Sequence, residues 1–292
     1  LRFTSQPKKQ GTTYKFNSSS MIDFGSSEAL GGSDNSFRFD RMYLTRNVGA
    51  VKLIVGAQPF AFGANNLAVD SSQYSFDGVT VAGKSGVVDL GLVWGRFQSQ
   101  VDVAAFVANS QWGKLSYGLG YATLKDNSTG KTLDNAGVIP VSDKYLAKYF
   151  DVNANYLFDK KFSIGGEYLK NRSDDFDSVL GNNKNSWLVK AVYGDQKLKK
   201  AGDNNLTATY LKLGNNGITR WSSSDYLLRT SNSNVNAVGD IHNEKAWIVA
   251  YNYAISPNLT TQLMYEKVTD DQYDGTNDLG YKLWRLGVTA KF

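Results

Sequence analysis

Apolar side chains recur at every second position through most of this chain, and polar segments separate the runs. At the C-terminal end Trp284, Leu286, Val288, Ala290 and Phe292 fall on one side of an extended strand, and Arg285, Gly287, Thr289 and Lys291 on the other. Phe150, Val152, Ala154, Tyr156 and Phe158 likewise oppose Asp151, Asn153, Asn155 and Leu157. The same period of two predicts strands over 1–5, 37–45, 51–60, 76–82, 88–97, 101–107, 115–121, 162–169, 187–193, 206–210, 247–255 and 259–266. That makes fourteen strands, or sixteen if Thr13–Phe16 and Met21–Phe24 form a hairpin.

The connections alternate in length. Segments 46–50, 83–86, 111–114, 159–161 and 256–258 are short; 61–75, 125–143, 171–185, 213–243 and 270–280 are long. Short turns on one rim and long loops on the other are expected of a transmembrane β-barrel. The connections at 195–205 and 98–100 break the rule, one too long and one too short. The second face of many strands carries polar or charged residues at mid-strand, which a dry interior would leave unpaired at several kcal/mol each. A water-filled lumen removes that cost. The expectation is an all-β chain: one antiparallel up-and-down transmembrane barrel domain over residues 1–292. Arg41 is a misfit. It shares the phase of Phe39 and Tyr43, and would face lipid unless it lies at a subunit interface or the strand carries a bulge.

Composition changes the picture in three ways. Mean hydropathy is −0.36, and no apolar run approaches the roughly 18 residues of a transmembrane helix. A barrel gives the same value, because only alternate residues meet lipid. Cysteine is absent, which excludes disulfides, thiolate metal sites and thiol nucleophiles. Net charge is +5 from 32 basic and 27 acidic residues, too balanced to argue for nucleic acid. Leu1 opens directly in a strand-like run without a signal-peptide pattern, as in a mature or trimmed chain.

Candidate catalytic chemistry is thin. Gly130–Lys131–Thr132 looks like the end of a phosphate loop, but the required upstream glycine position is Lys125. Asp270, Gln272, Asp274 and Gly275 resemble part of a calcium loop, whose twelfth position is Tyr281 rather than Glu. The only histidine, His242, lies in the longest loop, and a hydrolase would need a Ser or Asp partner for it. The expectation is no enzyme, no cofactor and no bound metal. Tyr and Trp at strand ends read as an interfacial girdle rather than a sugar-stacking slide.

The ending Gly287–Val288–Thr289–Ala290–Lys291–Phe292 resembles the C-terminal assembly signal of bacterial outer-membrane proteins, with Phe292 as its last residue. Phe37–Arg38–Phe39–Asp40–Arg41–Met42–Tyr43–Leu44, followed by a tight turn and Val51–Phe60, resembles the early hairpin of porins that carry an N-terminal S-layer-homology domain. Phe76–Asp77–Gly78–Val79, leading into Val87–Phe97, fits the same group. Those porins occur in Gram-negative Firmicutes and cyanobacteria. The resemblance implies a homotrimeric general porin in the outer membrane, linked to peptidoglycan through an N-terminal domain that this chain lacks.

The mechanism expected is passive diffusion of small hydrophilic solutes through the lumen, with selectivity set by constriction size and fixed charge. The expected wall residues are Arg38, Lys52, Lys190 and Arg285 against Asp40, Asp89, Asp102, Asp151, Glu167 and Glu266, with Asn153 beside Asp151. A long loop must fold inward, and Ala61–Ser75 is the candidate. A substrate-specific porin for a sugar or organic anion, and a barrel that serves only as an anchor, are the rivals.

Overall fold

The computed structural model describes residues 2–5, 8–9, 12–22, 37–65, 67–69, 76–97, 101–126, 145–173, 183–214, 243–270 and 281–290. Its elements are all strands: β1 (Arg2–Ser5), β2 (Lys8–Lys9), β3 (Thr12–Ile22), β4 (Phe37–Val48), β5 (Val51–Gln58), β6 (Phe76–Ser85), β7 (Val88–Phe97), β8 (Val101–Trp112), β9 (Leu115–Asp126), β10 (Tyr145–Leu157), β11 (Phe162–Asn171), β12 (Asn185–Gly194), β13 (Asn204–Leu213), β14 (Glu244–Ser256), β15 (Leu259–Asp270) and β16 (Tyr281–Ala290). Apart from β2, which pairs with β3, they follow one another in chain order in a single sheet. Every pairing is antiparallel. Among the described residues no pair joins β1 to β16. This is the up-and-down barrel class that the period of two predicts.

The count near the N-terminus differs from expectation. Residues 13–24 do not form a hairpin; β3 is one strand of 11 residues, lying between β1 and β4. The polar run Asn17–Ser18–Ser19 that could have turned is instead paired on both sides, with β1 and with β4. The β4 partnership also explains Arg41. Ser19 pairs with Arg41 and the next residue, Ser20, with Phe39, so Asp40 is left over as a bulge. The extra residue shifts the phase, so Phe37 and Phe39 share a face with Met42 and Leu44 rather than with Tyr43. In register Arg41 is separated from Phe39 by that bulge, its side chain lies outside the described residues, and Tyr43 moves off the lipid phase assigned to it.

Two rims follow. The connections 49–50, 86–87, 113–114, 158–161, 195–203 and 257–258 lie on one; the strand ends that flank the other connections lie on the other. Both apparent exceptions therefore keep their place in the alternation. Three of the tight turns contain a glycine at positive φ, Gly49 (59°), Gly86 (60°) and Gly113 (56°), a conformation that side chains with a Cβ rarely adopt. The longer 195–203 connection is stapled by its own carboxylates. Asp203 Oδ2 accepts the backbone N–H groups of Lys199 (2.8 Å) and Lys200 (2.9 Å), and Asp195 Oδ2 accepts that of Asn204 (3.0 Å).

One face of the sheet is apolar yet exposed. Leu92, Trp94, Leu119, Tyr121, Val152, Tyr168, Val189, Tyr251 and Leu286 are all exposed large apolar residues. In water such a face would be an aggregation surface; it suits lipid. Aromatic rings concentrate on this face from β9 onward, with Tyr117, Phe150, Tyr156, Trp247 and Trp284 among them. Replacing Leu119 with lysine puts an ammonium on the lipid face and should cost about 2–4 kcal/mol, the range for a midplane charge. Urea titration of folding into phosphatidylcholine vesicles measures it, and Gln111→Lys at the turn rim should cost far less.

Candidate functional site

The inward phase carries the residues of interest, and it is not uniformly polar. Toward the short turns it is hydrophilic. Asn252 Nδ2 donates to Asn205 Oδ1 and Gln262 Nε2 to Asn252 Oδ1, each at 2.8 Å, linking β13, β14 and β15. Asn205 Nδ2 in turn reaches the Asp195 carbonyl oxygen at 2.8 Å. Ser163 Oγ donates to Gln196 Oε1 of the stapled connection at 2.9 Å. Toward the long loops the same phase is apolar and buried: Val101, Val103, Leu124, Tyr149, Leu169, Leu188, Leu211, Ile248 and Val268 belong to one packed cluster. Among the described residues the inward phase is therefore polar toward the short turns and apolar and buried toward the long loops.

The segment after β5 accounts for part of that burial. Phe60, Phe62, Leu67, Ala68 and Val69 are buried, and Phe62 and Val69 exchange backbone hydrogen bonds at 3.1 and 3.2 Å, closing a small loop on itself. Phe60 packs on Phe76 and Phe97, with ring centroids 5.1 and 5.7 Å away. Phe62 stacks on Tyr149 of β10 at 6.4 Å. It also lies over Gly120 of β9, where an added Cβ would come within 2.9 Å of the Phe62 ring. The tip is held by polar contacts. Glu167 Oε2, on β11, accepts the Asn65 backbone N–H at 2.7 Å and Asn65 Nδ2 at 3.0 Å. Gly63, at φ 93°, brings its Cα against the other oxygen of Glu167, and a side chain there would collide with that oxygen.

Beside Glu167 stands Asp151 of β10. Asn153 pairs in register with Glu167, and its Nδ2 donates to Asp151 Oδ2 at 2.8 Å. The structure thus brings Asp151, Asn153 and Glu167 together at mid-height on the inward wall, where the polar and apolar parts meet. Both carboxylates are almost wholly covered, at 2% and 3% exposure.

The other expected wall residues are scattered. Lys52 lies on the inward phase of β5 near the short-turn rim and is exposed. Asp89 is inward on β7 and forms a 3.9 Å ion pair with Lys84. Lys190 is half-buried on the inward phase of β12, in register with Gly165 and Thr209. Glu266 is buried, and Arg285 half-buried, on the inward phases of β15 and β16. The side chains of Arg38 and Asp40 lie outside the described residues, as do Gly130–Lys131–Thr132, His242, residues 271–275 and Phe292.

Asp102 is a correction. Its phase on β8 is that of Ala104 and Phe106, which is outward, while Val101, Val103 and Ala105 point in and are buried. Both phases of β8 carry apolar residues, so alternation alone could not orient it. Asp102 Oδ1 instead accepts Arg96 Nε at 2.7 Å on the outer face. In register, Asp77, Arg96, Asp102 and Lys125 form a row of alternating charge across β6 to β9 at the long-loop rim.

Sequence reasoning missed Asn65, Gly63 and Gln58. Gln58 is buried, accepting from Thr80 Oγ1 and donating to the Gly78 carbonyl, each at 2.9 Å. A signal for the inward segment was present: Phe60 and Phe62 continue the apolar alternation past the end of β5.

The architecture is that of outer-membrane β-barrels. Its similarity to solved structures spans nearly the whole chain. A loop-deletion mutant of OmpT from Vibrio cholerae superposes with a TM-score of 0.62 at 12% identity, over 98% of this chain and 88% of that one. OmpT itself gives 0.58 at 12% identity, over 97% and 86%. A triple mutant of the Rhodopseudomonas blastica porin gives 0.57 at 12% identity, over 99% and 88%. At this identity the likeness is one of fold. No protein-family model and no curated protein matches the chain.

Two outcomes follow. Gly120→Val should push Phe62 off the β9 wall and loosen residues 60–69, read as new proteolytic sensitivity confined to that segment in a barrel of unchanged strand content. For the stapled connection, the backbone N–H groups of Lys199 and Lys200 hold the Asp203 carboxyl below its ordinary value of 3.8. A lowered folded value means that Asp203 stabilises the connection above that ordinary value and ceases to as pH falls through the lowered one. Asp203→Asn at neutral pH should therefore reproduce the acid behaviour, with faster amide exchange at Lys199 and Lys200.

Proposed function

We propose that the protein is a diffusion porin of the outer membrane, and not an enzyme. Small hydrophilic solutes and ions pass down their gradients through the lumen, which the segment 59–69 narrows. The observation that carries this reading is the fixing of Asn65 to Glu167 on the inward phase of β11, with the polar residues Asn205, Asn252 and Gln262 on the inward phases of β13 to β15. Water-filled space beside that polar half is the path. The likeness to the Rhodopseudomonas blastica porin supports it. Lys52, Asp89, Lys190 and Arg285 supply charges of both signs along the path, so ion selectivity is weak. The resemblance of Phe37–Leu44 and of the C-terminal strand to S-layer-homology porins belongs to the same proposal, with assembly as a homotrimer and a cell-wall link through a separate N-terminal domain.

A second reading has its own support. The apolar, covered inner wall from Val101 to Val268 also suits a barrel closed by its loops and used as an anchor.

Planar-bilayer recording separates the two. The porin reading expects discrete conductance steps, and a larger step when Phe62→Ala and Asn65→Ala are combined, because the segment then loses both its ring contact and its polar hold. A correctly folded barrel that gives no steps, with or without those changes, would overturn the channel and favour the anchor.

A further inference from the structure

On the outward face, strand after strand repeats one step at the long-loop rim. Two residues beyond an aromatic ring, toward that rim, stands a lysine. The steps are Phe150 to Lys148 on β10, Tyr168 to Lys170 on β11, Tyr210 to Lys212 on β13, Trp247 to Lys245 on β14, Tyr265 to Lys267 on β15 and Trp284 to Lys282 on β16. On β12 the step from Trp187 reaches Asn185 instead, which accepts the Tyr168 hydroxyl at 2.6 Å. The registers keep all of these on the lipid phase: Lys170 is opposite Phe150, Lys212 opposite Trp187 and Lys267 opposite Trp247. The rings form a band beneath the lysines. Tyr210 lies 5.5 Å from Trp187 and 4.6 Å from Trp247, and Tyr265 lies 4.9 Å from Trp284, between centroids. At the short-turn rim of the same strands the step from Tyr156, Tyr193 and Tyr253 reaches Phe158, Asp195 and Ile255, and only Phe162 has a lysine there, Lys160.

A lone lysine beside a membrane keeps its ammonium in water and needs no partner. Two observations go beyond that. First, no Asp or Glu among the described residues of β10 to β16 lies on the outward phase. Asp151, Glu167, Glu244 and Glu266 are buried on the inward one, and Asp270 is in register with Glu244. Second, lysines face each other across the ladder, Lys212 against Lys245 and Lys267 against Lys282. Like charges directly opposite repel, unless an anion lies over them. Lys170, Lys267 and Lys282 are exposed, and the ion pairs among the described residues are Lys84–Asp89 and Arg96–Asp102. The row on β6 to β9 at the same rim is the contrast, because there Asp102 neutralises Arg96. We propose that the outward lysines of β10 to β16 dock the phosphate headgroups of anionic lipids in the leaflet at the long-loop rim. The aromatic band sets the depth of the boundary, and the lysines meet the phosphates just above it. In outer-membrane barrels the long loops face outward, so this is the outer leaflet. The inference rests on the barrel's place in the outer membrane, and not on the passage of solutes.

Trp187, Trp247 and Trp284 stand beside these lysines and report on the lipid there. The test uses the full chain with Trp94→Phe, Trp112→Phe and Trp221→Phe, which leaves those three as the fluorophores. It is folded into vesicles of phosphatidylglycerol and phosphatidylcholine in equal amounts, with one or the other brominated on its acyl chains. Brominated phosphatidylglycerol should quench the more strongly, with a preference of about fivefold, the contribution of roughly one lysine–headgroup contact. High salt should reduce that preference. Lys170→Gln, Lys267→Gln and Lys282→Gln together should remove most of it. Arginine at the same three positions should retain it, which separates lost charge from misfolding. Lys160→Gln with Lys161→Gln, at the other rim, should leave it unchanged. Equal quenching by the two lipids would overturn the proposal, as would a preference undiminished in the glutamine variant. Neither result bears on conductance, which the bilayer recording reads separately.

Discussion

Hydrogen-bond closure of the backbone governs everything else in this molecule. A segment inside hydrocarbon has no water to take up its N–H and C=O groups, and each one left unpaired costs several kcal/mol. Apart from the outer edges of β1 and β16, the described strands meet that demand with one antiparallel ladder in chain order. Once the ladder exists, the pleat assigns every second side chain to lipid. The exposed Leu, Val, Tyr and Trp residues are a consequence of that assignment. So is the freedom of the opposite phase to be polar in one half and apolar in the other.

That freedom limits what alternation can reveal. Where the two phases differ in kind, as in β10 with Phe150 and Val152 against Asp151 and Asn153, orientation was legible from residue types alone. Where both phases are apolar it was not. On β8, Val101 and Val103 resemble lipid-facing residues but pack inside, and Asp102 looks interior but is neutralised by Arg96 at the outer rim. The bulge at Asp40 was hidden for another reason. An inserted residue leaves no mark in composition, only a conflict of phase, and Arg41 was that conflict.

The inward segment was legible in outline. Its position after an early strand and its middling polarity pointed to 61–75, but its anchors depend on contacts made far along the chain. Neither Asn65 nor Gly63 has a local pattern that identifies it; only the approach of β11 gives them a partner. The pairing of Asp151 with Glu167 is similar. Both were readable as interior, yet their proximity follows from the β10–β11 register.

The Asn65–Glu167 contact spans 102 positions of sequence. Strands β6 to β11 must therefore be laid down before residues 59–69 have a surface to rest on. The segment's polar hold rests on a strand far along the chain, and it depends on β11 being in place.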